Sequence, residues 1–406
     1  MKKKVLIICI ILVLITGIAV FSGSASSIFE RFNKNQKTVT ITQEEYDRLS
    51  RYRKMDAILQ YIENWYIEEP DIDKMIESAT NGLLYGLEDP YTYYYNSEEW
   101  AKMWEDDEGE YGGIGIEMLG NAEDYSVTIT RVFKGAPAEE AGVKKGDVLV
   151  RVEDLEVNFY TMQNAVNIMR GLIEDGTVEI EVKRGEEYIT FHIPRAIIHI
   201  NRVEYTMLED NIGLINLYEF EGESEKEFMA ALDSLENQGA KALIIDLRDN
   251  HGGWVDSARQ IGDLFLDDGV LVYTQDRSGY REDTVMKPGK DDIPLVILIN
   301  ENSASSSEIL AGGLHDRGRA TLVGINSYGK GIVQAVIPLE DDTEGFQMTI
   351  AEYFLPSGEK VHKIGLTPDI VSELPEELKN AYFALGDLSD PQLKDAWNAA
   401  KELIKE

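Results

Sequence analysis

The chain has 406 residues, which predicts two or three domains at about 150 residues per domain. Charged residues make up 28% and aromatic residues 9%, a composition typical of folded globular proteins rather than of disordered chains. The formal net charge of −35 argues against nucleic acid and strongly acidic substrates as ligands, because a phosphate-binding surface needs a basic stripe.

The first 28 residues are predicted to be a signal peptide or an N-terminal membrane anchor. Lysines at 2–4 precede an apolar run over 5–21 that is about as long as a minimal membrane span, and small polar residues follow over 22–27. The positive-inside rule places the remainder across the membrane, so we expect an extracytoplasmic protein, either membrane-anchored or secreted. The single cysteine, Cys9, lies in this run, which excludes a disulfide or a cysteine nucleophile in the exported part.

Residues 29–100 are predicted to form a helical N-terminal region. Thr42–Glu45 has the sequence of a capping box, and apolar residues follow near helical spacing as far as Trp65. A second helical stretch is predicted over about 73–85. Apolar helix faces outside a main core often bind a partner, so we expect a homodimer formed through these helices and those of the C-terminal region, 372–406.

Residues 101–196 have the pattern of a compact module that binds a peptide end. Glycines beside a predicted strand, in Gly113-Ile114-Gly115-Ile116, offer backbone N–H groups that can form a nest for the carboxylate of a peptide C-terminus. The predicted elements that follow are a strand over 127–132, a short helix over 135–142, a strand that starts near 146–149, a helix over about 160–170 and a hairpin over 177–193.

From residue 213 the pattern changes to strands alternating with helices, which is typical of βαβ units. A buried strand over 242–247 ends in a glycine-containing loop at 248–253, and another strand, over 295–299, delivers a serine cluster to the start of a helix. Ligands of open α/β sheets bind beyond the carboxyl ends of the strands. A helix start also offers free N–H groups and the positive end of a dipole to a reactive oxygen. The sequence therefore favours serine chemistry at these two loops.

A serine nucleophile needs a base, and Lys330 is the basic residue that lies among glycines and apolar side chains downstream. Burial would lower the pKa of its ammonium and make the neutral amine available. If 330–336 is a strand, Lys330, Ile332 and Gln334 share one face, so the Gln334 amide can orient the amine. Ser305 also fits the N-cap of a capping box with Glu308, and taken alone it leaves both interpretations open.

Ser305, Lys330 and Gln334 resemble the catalytic residues of the C-terminal processing peptidases, the PDZ-containing serine–lysine family S41. In that family the serine lies 25 positions before the lysine and the glutamine four positions after it, as in this chain. The resemblance extends from about residue 73 to about residue 370. It includes Gly86-Leu-Glu-Asp-Pro-Tyr91, the order of elements in the module and Gly365-Leu-Thr-Pro-Asp-Ile370.

The resemblance implies an α/β multidomain fold, with a ClpP/crotonase-like α/β protease core over 197–371, a PDZ-like domain over 101–196 and flanking helical segments. It also implies an oxyanion hole formed by the backbone N–H groups of Gly252 and Ser306, with Gly253 as a close alternative. His251 stands where the family usually has a proline.

The resulting prediction is an extracytoplasmic serine endopeptidase whose PDZ domain captures apolar C-terminal tails of proteins or peptides. Ser305 attacks the peptide carbonyl to form an acyl-enzyme, Lys330 moves the proton, and water completes the hydrolysis. Neither a cofactor nor a metal is expected, since the sequence has no His-Glu-x-x-His motif.

Three alternatives stand beside this prediction. An enzyme of the penicillin-binding type would use Ser-x-x-Lys, which occurs at Ser327–Lys330 and Ser357–Lys360, but no Lys-Thr-Gly follows. A Ser-His-Asp enzyme could use His251 or His315 as its base. The third alternative is a catalytically inactive PDZ scaffold at the membrane, which gives no physical reason to retain all three predicted catalytic residues.

Overall fold

The computed structural model describes residues 39–122, 124–171, 174, 176–287, 292–339, 341–378 and 383–405. The predicted signal peptide or anchor, 1–28, lies outside the described residues. Among the helices that are described, none combines the length and the apolar character needed to cross a membrane. The chain divides into two compact units, Met1–Ile76 and Glu77–Glu406.

The first unit contains helices α1 (Gln43–Ser50) and α2 (Arg53–Trp65) and the start of α3 (Ile72–Tyr85). The predicted capping box is confirmed, because Thr42 Oγ1 accepts a hydrogen bond from the N–H of Glu45, whose carboxylate accepts one from the N–H of Thr42. The apolar residues that were predicted at helical spacing are divided between two helices, α1 and α2. Neither helix buries a residue. Their apolar faces are therefore exposed in the described part of this unit.

The second unit begins within α3 and continues with β1 (Tyr93–Tyr95), α4 (Ser97–Glu108) and β2 (Glu110–Gly113). The predicted module follows, with β3 (Ile116–Gly120), β4 (Val127–Val132), α5 (Pro137–Ala141), β5 (Val148–Val152), β6 (Leu155–Glu156), α6 (Met162–Met169), β7 (Thr177–Arg184) and β8 (Glu187–Pro194). These strands form an antiparallel sheet in the order β3-β4-β5-β7-β8, with β6 on β5, around one apolar core. The predicted elements are thus confirmed in their order. β9 (Ala196–His199) then pairs with β2 and closes the module.

The remaining residues form the predicted α/β core. Its elements are β10 (Val203–Met207), β11 (Ile212–Leu217), α7 (Ser224–Asn237), β12 (Ala242–Asp246), α8 (Val255–Asp263), β13 (Val270–Asp276), β14 (Arg281–Val285), β15 (Leu295–Ile299), α9 (Ser306–Asp316), β16 (Ala320–Gly324), β17 (Ile332–Pro338), β18 (Gly345–Phe354), β19 (Ile370–Val371) and α10 (Pro391–Lys405). The central sheet has the order β10-β11-β12-β15-β16-β19, and all its neighbouring strands are parallel except β10 and β11. Every residue of β12 and β15 is buried, as expected for strands covered on both faces.

Helices cover both faces of the central sheet. α7, α8 and α9 share one core with the side chains of one face. Leu393, Ala396 and Ala400 of α10 pack against the other face. Immediately before α10, Asp390 forms an ion pair with Arg248 at 2.8 Å. The C-terminal region, whose helix was predicted to bind a partner subunit, therefore has its apolar face buried within the chain.

A second sheet brings residues from the start of the unit to the core. β17 lies on one edge of β18, whereas β1 and β13 share the other edge and β14 lies outside β13. The pairing places Tyr93 of β1 opposite Gln347 of β18. The segment that precedes β1 in sequence is consequently held beside the strands that follow Lys330.

Candidate active site

Two loops lie side by side at the carboxyl ends of β12 and β15, because these parallel strands are neighbours. Loop 248–253 and loop 300–305 are joined by side-chain amides. The Asp249 carboxylate accepts hydrogen bonds from Asn300 Nδ2 at 2.8 Å and from Asn302 Nδ2 at 2.9 Å. The fold thus brings the predicted oxyanion loop to the predicted nucleophile.

Ser305 occupies the turn into α9 with φ 55° and ψ −115°. A residue other than glycine rarely has a positive φ, and strained backbone of this kind clusters at functional sites. Gly252 lies against this turn, since a Cβ at position 252 would stand 2.8 Å from the Cβ of Ser305. Gly252 itself has φ 105°. Only glycine therefore allows the two loops to approach this closely.

The predicted oxyanion hole lies where the two loops meet. The N–H of Ser306 belongs to the first turn of α9, and its nitrogen would lie 3.0 Å from a Cβ at position 252. The N–H of Gly252 donates to Asn250 Oδ1 at 2.9 Å, so its role as an oxyanion donor stays a prediction that requires this bond to open. Within the described residues, the N–H groups of Ser306 and Gly253 make no hydrogen bond, which favours Gly253, the alternative donor.

In the described part of the chain, neither histidine considered as a base forms a hydrogen bond with Ser305. His251 is exposed, and its Nδ1 lies 3.2 Å from the carbonyl oxygen of Asn302. His315 lies in the last turn of α9, with its Nε2 3.0 Å from Asp369 Oδ1. The Ser-His-Asp alternative therefore gains no support from the geometry.

The buried carboxylate of Glu308 links the predicted nucleophile to the predicted base. Its Oε2 accepts hydrogen bonds from the N–H of Ser305 at 3.0 Å and from the N–H of Lys330 at 2.8 Å. Its Oε1 accepts one from the N–H of Gly329 at 2.7 Å and another from the hydroxyl of Ser327. One carboxylate thus fixes the backbone of Ser305 relative to that of Lys330.

The electrostatics of the site are set by burial. Burial raises the pKa of the Glu308 carboxyl, although the four hydrogen bonds it accepts act in the opposite direction. Burial lowers the pKa of the half-buried Lys330 ammonium below its usual value, while the charges of Asp89 and Glu308 raise it. The net direction is the one that a lysine acting as a general base requires.

Gln334 lies in β17 beside the lysine segment. β17 begins at Ile332, so the strand predicted over 330–336 starts two residues late, and Lys330 precedes it. The Gln334 amide donates to Thr349 Oγ1 at 3.3 Å across the pairing with β18. A direct contact of this amide with the lysine amine stays a prediction.

The serines of the two Ser-x-x-Lys pairs do not have the surroundings expected of a nucleophile. The buried Ser327 hydroxyl, besides donating to the carboxylate on α9, accepts a hydrogen bond from the N–H of Leu366 at 2.6 Å. Ser357 is exposed, and Lys360 pairs with Glu352 at 3.0 Å. Neither serine has a free hydroxyl at the end of a core strand.

Sequence reasoning missed three residues that the fold brings to Lys330. From the sequence, Glu308 is predicted only as the capping partner of Ser305. Asp89 and Tyr91 are noted only as part of the segment Gly86-Leu-Glu-Asp-Pro-Tyr91. The Ser-x-x-Glu spacing and the Asp-Pro-Tyr segment were visible in the sequence. Their proximity to Lys330 depends on the packing of α9 and β1, which the sequence does not display.

A cleft of about 3080 Å³ contains Ser305, Lys330 and Gln334 and is also lined by residues of β3 and β4. A smaller groove of about 340 Å³ between β3 and α6 is lined by the predicted peptide-binding residues Gly113, Ile114, Gly115 and Ile116, together with Phe133, Val166 and Met169. Glu219 and Glu221 line both, so the groove adjoins the cleft. Among the described residues, no group of three or more side chains could hold a metal ion.

Comparisons with known proteins match three parts of the chain to families. Residues 211–372 match peptidase family S41, residues 112–194 match the PDZ domain, and residues 14–99 match the N-terminal domain of the activating protease CtpB. The chain is 34% identical to a carboxy-terminal-processing protease of Bartonella bacilliformis, over 86% of this chain and 81% of that protein. It is 32% identical to the carboxy-terminal processing protease CtpA of Bacillus subtilis, over 92% and 78%.

Among solved structures, the photosystem II D1 C-terminal processing protease is similar, with a TM-score of 0.55 and 27% identity. The match covers 87% of this chain and all of that one.

We expect Glu308→Gln to lower the reactivity of Ser305 toward a serine-directed fluorophosphonate by about 100-fold, on the order of a misplaced reacting group. The amide keeps the side-chain volume, but its NH₂ group meets N–H donors instead of accepting from them. The rate of labelling, read by intact-protein mass spectrometry, measures this. Glu359→Gln, which changes an exposed carboxylate, is the control. Equal labelling rates in the two variants would show that the bridging carboxylate is not needed.

Proposed function

The chain belongs to the carboxy-terminal processing proteases of peptidase family S41, and from this premise we propose that Ser305 and Lys330 form its serine–lysine catalytic pair. The protein is a serine endopeptidase with a PDZ domain. The observation that carries the proposed pair is the Glu308 carboxylate, one oxygen of which accepts the N–H groups of both residues. The lowered pKa of the Lys330 ammonium supports the same assignment.

In the proposed mechanism, neutral Lys330 takes the proton of the Ser305 hydroxyl while Ser305 Oγ attacks the peptide carbonyl carbon. The negative charge moves to the carbonyl oxygen, which accepts hydrogen bonds from the N–H of Ser306 and of one glycine in loop 248–253. The ammonium of Lys330 then gives its proton to the leaving amine, and an acyl-enzyme remains. A water molecule, deprotonated by the same amine, hydrolyses the ester and restores Ser305.

Gln334 has a positioning role in this proposal. Its amide holds Thr349, which fixes β17 against β18 next to the lysine segment. Because β17 starts directly after Gly331, a shift of this strand would move the lysine with it.

The PDZ domain is proposed to capture apolar C-terminal tails. The side chains that line the groove between β3 and α6 are mostly apolar, and the N–H groups at its glycine end suit a carboxylate. The groove adjoins the catalytic cleft through Glu219 and Glu221, so a bound tail can extend toward Ser305.

Two further proposals rest on the N-terminal region. An extracytoplasmic, membrane-associated location is supported by the basic flank and apolar run within 1–28, and fractionation of cells into soluble and membrane parts tests it. A homodimer is supported by the exposed apolar faces of α1 and α2, which bury no residue within the described part of their unit. Sedimentation of the protein with and without Ile58→Asp tests it.

Ser305→Ala and Lys330→Ala should each abolish cleavage of a peptide with an apolar C-terminus, because they remove the nucleophile and the base. Melting temperatures close to that of the unsubstituted protein would show that folding is intact. Ser357→Ala, at the exposed serine of a Ser-x-x-Lys pair, should retain activity and serves as the control. Near-normal turnover in either of the first two variants would contradict the serine–lysine pair.

The rate of cleavage should rise with pH. Lys330 acts as a base only when it is neutral, and burial lowers its pKa, so activity is lost as pH falls through an apparent pKa below the ordinary lysine value of about 10.4. The pH profile of kcat/KM measures this. A histidine base would give a rise near about 6.5. The profile of His251→Ala separates the two cases, because a rise that persists in this variant does not come from His251.

Val166→Asp should raise KM for a peptide with an apolar C-terminal residue about 10-fold or more with little change in kcat, because a carboxylate among the apolar side chains of the groove opposes binding of an apolar residue. Asn164→Asp adds the same charge to an exposed position of α6 and is the matched control. Peptide titrations of both variants, read by initial rates, provide the measurement. Equal KM values in the two variants would place tail capture elsewhere.

A further inference from the structure

The segment Asp89–Thr92 lies beside Lys330, although it stands more than 200 positions before the lysine in sequence. The ring of Tyr91 faces the amine of Lys330, with Nζ 4.8 Å from the ring centroid. At this distance the face of an aromatic ring attracts an ammonium, and the attraction is stronger where water is partly excluded. Within this segment, Tyr91 is therefore the residue in direct contact with the proposed base.

The position of Tyr91 is fixed by hydrogen bonds on both sides. Its N–H donates to Asp89 Oδ1 at 3.0 Å, and its carbonyl oxygen accepts from Gln347 Nε2 of β18 at 3.1 Å. Its hydroxyl lies 3.3 Å from that of Tyr328, which belongs to the lysine segment. The hydrogen bond with Tyr328 and burial raise the pKa of Tyr91 to about 12, so the ring stays uncharged at neutral pH.

Thr92 connects the same segment to the partner of Gln334. The Thr92 hydroxyl donates to Asp89 Oδ2 at 2.7 Å and accepts from the N–H of Thr349 at 3.1 Å. Thr349 in turn accepts the amide of Gln334 at 3.3 Å. The segment thus contacts Lys330 directly, through the ring of Tyr91. It is linked to Gln334 of β17 through one residue, Thr349.

The charged and titratable groups around the lysine come from four elements. Asp89 and Tyr91 face it from this segment, Glu308 from α9 and Tyr328 from its own segment. His362 lies next to Gly331, the residue after the lysine, since a Cβ at Gly331 would stand 2.3 Å from the His362 backbone nitrogen. The carboxylates of Asp89 and Glu308 and the ring of Tyr91 favour the charged form of the amine.

We propose that Tyr91 and Asp89 are positioning residues for Lys330, the ring holding Nζ toward Ser305 and both groups stabilising the ammonium that forms when the lysine takes the serine proton. This inference rests on the serine–lysine mechanism. Burial alone lowers the pKa of the amine and so weakens the base that must carry the proton from Ser305 to the leaving amine. The aromatic face and the nearby carboxylate of Asp89 counter that effect, and among the described residues the amine forms no direct ion pair.

The test compares Tyr91→Leu with Tyr91→Phe, using the pH profile of kcat for an apolar-tailed peptide. Tyr91→Leu keeps an apolar wall but removes the ring face, so kcat should fall about 10-fold and the apparent pKa of the rising limb should move down by about half to one unit. Tyr91→Phe keeps the ring and should stay within about twofold of the unsubstituted enzyme in kcat. Asp89→Asn should move the limb in the same direction as Tyr91→Leu.

Tyr85→Leu, the same substitution at an exposed tyrosine ahead of the segment, is the matched control and should leave the profile unchanged. KM should remain constant in all variants, since none of these side chains is placed in the tail-binding groove. A fall in kcat without a shift of the limb, or equal profiles for Tyr91→Leu and Tyr91→Phe, would overturn the inference. The activity of Lys330→Ala, measured in the same assay, distinguishes failure of this inference from failure of the serine–lysine mechanism. If Lys330→Ala cleaves the peptide, the serine–lysine mechanism itself is wrong.

Discussion

The four hydrogen bonds accepted by the Glu308 carboxylate are the constraint on which the geometry of this site depends. Ser305 stands in a strained conformation at the start of α9, and Lys330 enters from a loop after β16. The carbonyl oxygen of Ser305 accepts the first hydrogen bond of α9, from the N–H of Ile309 at 2.9 Å, but this bond does not join Ser305 to the lysine segment. A buried carboxylate that accepts from both backbones sets their separation, and losing it would leave buried donors without partners.

The same carboxylate also affects the protonation state of Lys330, and burial of the lysine opposes its effect. A negative charge near Lys330 favours the ammonium, whereas a general base must be neutral at the start of the reaction. Burial of the lysine acts against that charge and lowers the pKa. In the proposed mechanism, the Tyr91 ring and Asp89 favour the ammonium that Lys330 becomes when it takes the proton of Ser305. Burial thus favours the neutral amine of Lys330, whereas the nearby carboxylates and the aromatic ring favour its ammonium.

Chain segments that are far apart in sequence converge on this site. β1 arrives from before the PDZ domain and pairs with β18, whereas Asp390, ahead of α10, holds Arg248 at the start of the oxyanion loop. The PDZ groove is coupled to that loop through residues 219–221. The N–H of Phe220 donates to the carbonyl of Gly252 at 2.8 Å, and the glutamates on either side of it line the groove. The proposed binding site for a peptide tail is therefore next to the segment that is hydrogen-bonded to the predicted oxyanion loop.

The sequence by itself determined the order of the elements in the module and the buried core strands, because these follow from local periodicity. Its resemblance to family S41 supplied Ser305, Lys330 and Gln334 as the predicted catalytic residues. It also indicated Gly252, since a strand-to-helix turn with positive φ favours glycine. The tertiary structure decided what surrounds the lysine. Glu308 is a capping residue in any local interpretation, and its link to Lys330 exists only because α9 packs beside the loop before β17. Asp89 and Tyr91 reach the site through strand pairing across more than 200 residues, and such non-local contacts leave no periodic trace in the chain. For the same reason the apolar face of α10 suggested a partner, whereas the folded chain buries it on its own sheet.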